Sequence, residues 1–166
     1  DLKKNTTEQE LLLLTEHPNP VVKCYAFDLL VKQRNKNNFN ILKKNLKDTT
    51  YVSTQYGCIG SMIRVNDYFI DSILNPFPNN EYLKESEKRT LDSLIIFTTN
   101  LVSDYKNRLL ERIEPNEKYY ERVRELALKE NNSAIVGISK YQKENDIELI
   151  NNLLENTNTH IQFYGL

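Results

Sequence analysis

The chain has no tryptophan, one methionine, four glycines, two histidines and two cysteines among its 166 residues. Four scattered glycines cannot build a phosphate-cradling loop, a dinucleotide fingerprint or a Gly-x-Ser-x-Gly elbow, each of which needs glycines at fixed short spacings. His17 and His160 lie far apart, with no paired histidines on a helix and no Cys-x-x-Cys, so no metal-ligand spacing can be drawn. His17, inside His17-Pro18-Asn19-Pro20, reads as a turn residue. The acid pairs Asp67 with Asp71 and Glu111 with Glu114 share helix faces without an enclosing apolar signal, and read as solvated. No catalytic residue, metal or cofactor is expected. Cys24 and Cys58 either join as one disulfide in an oxidising compartment or stay as two buried thiols; spacing alone leaves both open.

Charge of one sign is also lacking. The 22 basic and 23 acidic residues leave a net charge of -1, which disfavours a globally basic nucleic-acid binder. No apolar run reaches the ~20 residues of a membrane-spanning helix, and no basic-then-apolar leader is present. A soluble chain is therefore expected. Its start at Asp1 rather than Met suits a mature or shortened form, so cytoplasmic and exported locations both stay open, as does the oligomeric state. With 39% hydrophobic and 27% charged residues, composition is that of an ordinary globular protein, biased by 21 asparagines. A chain of this length buries about two-thirds of its unfolded surface and needs no staple. One domain over residues 1–166 is expected, with Asn75-Pro76-Phe77-Pro78-Asn79-Asn80 as its internal boundary.

What is present is helical punctuation. Thr7-Glu8-Gln9-Glu10 forms a capping box before Leu11 to Leu14, predicting a helix from Glu8 to about Glu16. Asn19 caps a second helix with Pro20 at its first position, running to about Gln33. In it, Val22, Ala26, Leu29 and Leu30 share one face while Cys24, Phe27 and Val31 make the other apolar, so the helix lies between neighbours. Phe39, Leu42 and Leu46 give a third helix, and Asn66 is a candidate cap for a short one over residues 67–74. Further helices are expected from Glu81 to Phe97, from Leu101 to Ile113 behind a cap at Asn100, and from Pro115 to about Lys129.

Three segments begin alike: Asn19-Pro20-Val21-Val22, Asn132-Ser133-Ala134-Ile135 and Asn158-Thr159-His160-Ile161. In each, a capping Asn is followed three residues on by a β-branched aliphatic, then four later by a small residue: Ala26, Ser139 and Gly165. The helices after the first two segments also correspond in apolar placement. A pair of helices that cannot bury its own apolar face must stack on neighbours, which is the logic of an α-solenoid. On these residues the chain resembles HEAT-like helical-repeat proteins, bacterial members among them, over roughly residues 7–48 and 116–166. The resemblance implies an all-α fold, an α/α superhelix of HEAT-like pairs, used mainly as a scaffold that binds other proteins. Some HEAT-like proteins are DNA glycosylases with a basic, aromatic-lined face. The lack of Trp and of net positive charge counts against that alternative.

The segment from Asp48 to Leu74 departs from the repeat. Val52, Thr54 and Tyr56 alternate, and Gly57 and Gly60 flank Cys58-Ile59, so residues 49–65 read as a short hairpin or irregular insertion. Because Tyr, Met and Arg are enriched at interface cores and loops carry recognition, Tyr51, Tyr56, Ile59, Met62 and Arg64 are the candidate protein-binding residues. The alternative surface is the run Lys32, Arg34, Lys36, Lys43, Lys44 and Lys47, a basic patch for nucleic acid or a solvated helix face.

Overall fold

A computed structural model of the protein describes residues 6–75, 83–129 and 132–154. The described residues are mostly helical, with nine α-helices and one two-stranded sheet, in chain order α1 (Glu8–Leu14), α2 (Pro20–Lys32), α3 (Asn38–Asn45), β1 (Tyr51–Tyr56), β2 (Ile59–Arg64), α4 (Val65–Leu74), α5 (Glu85–Phe97), α6 (Asp104–Arg112), α7 (Glu117–Leu128), α8 (Asn132–Ser139) and α9 (Ile147–Leu154). The chain forms two compact units: residues 1–89 together with 101–103, and residues 90–100 together with 104–166. Among the described residues no helix is long and apolar enough to cross a membrane.

In the first unit the capping box at Thr7 forms as expected: Thr7 N–H donates to Glu10 Oε2 at 2.7 Å and Glu10 N–H to Thr7 Oγ1 at 3.3 Å. Asn19 accepts from Val21 N–H at 2.9 Å to start α2. Helix α2 packs against α1, α3, α4 and β1, which is why Cys24, Ala26, Phe27, Leu29, Leu30 and Val31 are all buried around its circumference. Phe27 stacks on Phe69 of α4, ring centres 3.9 Å apart and 7° from parallel. The end of α2 is closed by Asn35 N–H donating to Leu30 O at 3.0 Å and Arg34 N–H to Val31 O at 2.9 Å, with Arg34 at φ 54°. That left-handed position after a helix is normally glycine's.

In the second unit α8 packs on α6 and α7. A Cβ on Gly137 would lie 2.8 Å from the backbone oxygen of Leu110 and 3.3 Å from Val123 Cγ1, so only glycine lets the helices approach this closely. The repeat reading assigns that small position to Ser139, which is exposed and whose Oγ donates to Val136 O. The close approach is two residues earlier because that is where the α8 backbone faces Leu110. A turn of 3₁₀-helix, Glu144–Asp146, precedes α9, and its buried Asp146 accepts from Tyr120 Oη and Arg124 Nε, each at 2.9 Å.

Four local expectations are corrected. Asn66 does not cap α4; the helix begins one residue before it, and Asn66 is fully buried, donating through Nδ2 to Leu46 O at 3.0 Å and Val102 O at 2.9 Å. Asp67 is not solvated: it is 1% exposed and accepts from Ser103 Oγ at 2.6 Å. Asn100 adopts φ 55° rather than a capping conformation, and α6 begins only at Asp104, since Leu101–Ser103 folds with the first unit. The α7 cap is Asn116, accepting from Lys118 N–H at 2.9 Å, one residue beyond Pro115. The third repeat segment, residues 158–166, and most of the expected boundary loop, residues 76–80, lie outside the described residues.

Candidate binding surface

The hairpin arises where β-branched and aromatic residues alternate. Its register pairs Tyr51 with Arg64, Val52 with Ile63, Ser53 with Met62, Thr54 with Ser61, Gln55 with Gly60 and Tyr56 with Ile59. Gly57 takes φ 59° at the reversal, a conformation that costs a residue without a Cβ almost nothing. Side chains alternate across a strand, so the register sorts the candidates. Val52 is buried, with β1 lying along α2. Tyr51, at 49% exposure, and Met62, at 62%, project from the other face with Ser53 and Gln55. The side chains of Tyr56 and Ile59 lie outside the described set.

Arg64 belongs to that outward face but is already engaged. Its guanidinium carbon sits 5.1 Å from the centre of the Tyr51 ring, and Nη1 is 3.7 Å from Asp67 Oδ2 on α4. Asp67 is held in turn by Ser103. The arginine thus fixes the hairpin root to the first turn of α4 and holds Tyr51 in place. Thr54 and Ser61 hydroxyls, 2.8 Å apart, tie the strands nearer the tip. Asp48, just before β1, is paired with Lys23 Nζ at 2.6 Å. Burial opposes its ionisation, but the bonds from Lys23 and Thr50 outweigh that and hold its carboxyl below the usual carboxylate value.

The two cysteines are free thiols in different settings: Cys24 is buried in α2 and Cys58 is exposed at the hairpin reversal. Burial, reinforced by the nearby Asp48 charge and opposed by Lys23, pushes the Cys24 thiol up to about 12, so it stays protonated and inert at neutral pH. His17 is a turn residue as expected, its Nδ1 accepting from Asn19 N–H at 3.0 Å.

The chain has no match to any protein-family model, curated protein or solved structure.

The basic run divides in two. Lys32 pairs with Asp28 at 2.5 Å and Lys44 with Glu16 at 3.2 Å, whereas Arg34, Lys36, Lys43 and Lys47 are exposed and make no ion pair among the described residues. Lys43 Nζ lies 5.4 Å from the Phe39 ring centre. Lys43 and Lys44 also line a groove of about 740 Å³ between α1 and α3, together with Leu12, Ile41, Glu16 and Asn40. Periodicity could not find this groove, because its lining comes from two helices that are not neighbours in sequence. The one signal for it was the density of lysines on α3.

Proposed function

We propose that the chain is a non-catalytic protein-binding module, a HEAT-like helical scaffold whose β1–β2 hairpin is the recognition element. The observation that carries this reading is the outward face of the hairpin, where Tyr51 and Met62 stand exposed on a rigid root. Exposed large apolar side chains on a positioned element are what interface cores use, because burying them against a partner removes apolar area from water at about 25 cal/mol per Å². Arg64 and Asp67 preorganise Tyr51, which lowers the ordering cost of binding.

The helical-pair part of the reading is supported by the asparagine cap of α2 and by the apolar circumference of that helix. The test is the double variant Tyr51→Ser, Met62→Ser, assayed for melting temperature and for recovery of partners from a native extract. Both positions are exposed, so stability should move by no more than about 1 kcal/mol, the Arg64 contact to the Tyr51 ring included, while partner recovery falls. Recovery that merely tracks the folded fraction refutes the hairpin as recognition element. Retained affinity for DNA at ~0.15 M salt that collapses as salt rises would instead support the nucleic-acid alternative.

A further inference from the structure

A second surface of the first unit has the chemistry of a docking groove. Its floor is apolar, from the half-buried Leu12 of α1 and the buried Ile41 of α3. One rim is cationic: Lys43 and Lys44 stand side by side on α3, with Lys36 before that helix and Lys47 after it. Across the groove the only carboxylate among the lining residues is Glu16, and it reaches Lys44 at 3.2 Å with both side chains mostly exposed, 72% for Lys44 and 65% for Glu16. An exposed pair of this kind is weak and exchangeable. Lys43 has no carboxylate partner among the described residues, and neither do Lys36, Lys47 and Arg34. Lys43 and Lys44 are thus the two positive charges on the groove itself, Lys43 without a carboxylate partner among the described residues and Lys44 held only by the exposed Glu16.

We propose that this groove binds an acidic segment of a partner protein, one that lays an apolar side chain on Leu12 and Ile41 and sets carboxylates against Lys43 and Lys44. In this arrangement Glu16 is a built-in competitor. It occupies Lys44 in the free protein and is displaced by the incoming carboxylate, so the empty groove is not left with an unpaired lysine at that position. Charge complementarity selects the sign of the ligand and its rate of arrival, while the apolar floor selects a peptide over a bare polyanion. None of the described residues that line the groove is aromatic, so these walls offer no platform for stacking a nucleic-acid base. A protein segment is favoured on both counts.

The groove is separate from the hairpin, and its failure would leave the hairpin reading intact. The experiment uses the full chain and a fluorescent glutamate-rich peptide with leucine at every third position, read by anisotropy. Controls are polyglutamate, the same peptide with lysine for glutamate, and a fluorescent single-stranded DNA. The glutamate–leucine peptide should bind more tightly than polyglutamate or the DNA, and the lysine version should not bind. Lys43→Glu with Lys44→Glu should weaken it by about tenfold, and Glu16→Gln should tighten it by about threefold, as expected for a few rim charges each of modest strength. Tyr51→Ser with Met62→Ser should leave it unchanged. All the substituted side chains are exposed, and circular dichroism checks that each variant is folded. Absence of peptide binding, binding indifferent to the Lys43 and Lys44 reversals, or tighter binding of the DNA than of the peptide overturns the proposal.

Discussion

Asn66 shows how much a single buried amide can carry. Its side chain satisfies two backbone carbonyls from segments distant in sequence, Leu46 O and Val102 O, while its Oδ1 accepts from Asp67 N–H. Truncation to alanine strands the buried Leu46 O and Asp67 N–H without their partner. Asn66→Ala should therefore cost about 2–4 kcal/mol, measured by urea denaturation at neutral pH. Arg34 makes the opposite case. It holds a left-handed φ of 54° at the end of α2, where a side chain brings strain. Arg34→Gly should raise stability by about 0.5–1 kcal/mol, visible as a higher denaturation midpoint with unchanged slope. A lower midpoint would show that the arginine side chain supplies more than the backbone strain removes.

At the scale of elements, α8 depends on a residue with no side chain. Gly137→Ala would drive a methyl into the Leu110 backbone oxygen, which cannot rotate away. The helices must separate, at a cost of about 1–3 kcal/mol in thermal or chemical unfolding. The junction between α2 and β1 depends instead on charge. The Asp48 carboxyl in the folded chain lies below its ordinary 3.8. The bond to Lys23 therefore contributes stability that is complete above the unfolded carboxyl's value and fades as pH falls through the lower folded one. Lys23→Gln should lose up to ~1 kcal/mol at neutral pH and flatten the acid limb of the stability curve, while a carboxyl carbon resonance for Asp48 titrates at higher pH than in the parent. Most element types were legible in the sequence, because Thr7, Asn19, Pro20 and Gly57 act locally: each dictates a backbone conformation within a few residues of itself. Asn66 and Asp67 were misread for the converse reason. A cap and a solvated acid are the local readings, and tertiary partners at Leu46, Val102 and Ser103 override them. The candidate surface was legible only in part. Residue type proposed Tyr51 and Met62, but the clamp that commits Arg64 to Tyr51 and Asp67 needs α4 to follow the hairpin without a break.

At the scale of the whole molecule, the chain does not pass once from one compact unit to the next. It leaves the first unit within α5, after Arg89, and Leu101–Ser103 then returns to it before the second unit resumes at Asp104. That three-residue return supplies Val102 O to Asn66 and Ser103 Oγ to Asp67. A chain ending at Asn100 should therefore be cleaved by dilute protease faster than one ending at Ser103, with the difference lost when Asn66 and Asp67 are both replaced by alanine. Equal cleavage of the two would mean that the return adds nothing to the first unit. Order of synthesis gives the same feature another meaning. A ribosome that has released residue 89 has delivered nearly every side chain of the first unit, yet Asn66 and Asp67 each still lack one of their bonds, to Val102 O and from Ser103 Oγ, which emerge only after α5. The first unit is thus complete in its hydrogen bonds only once the segment directly before α6 has been made.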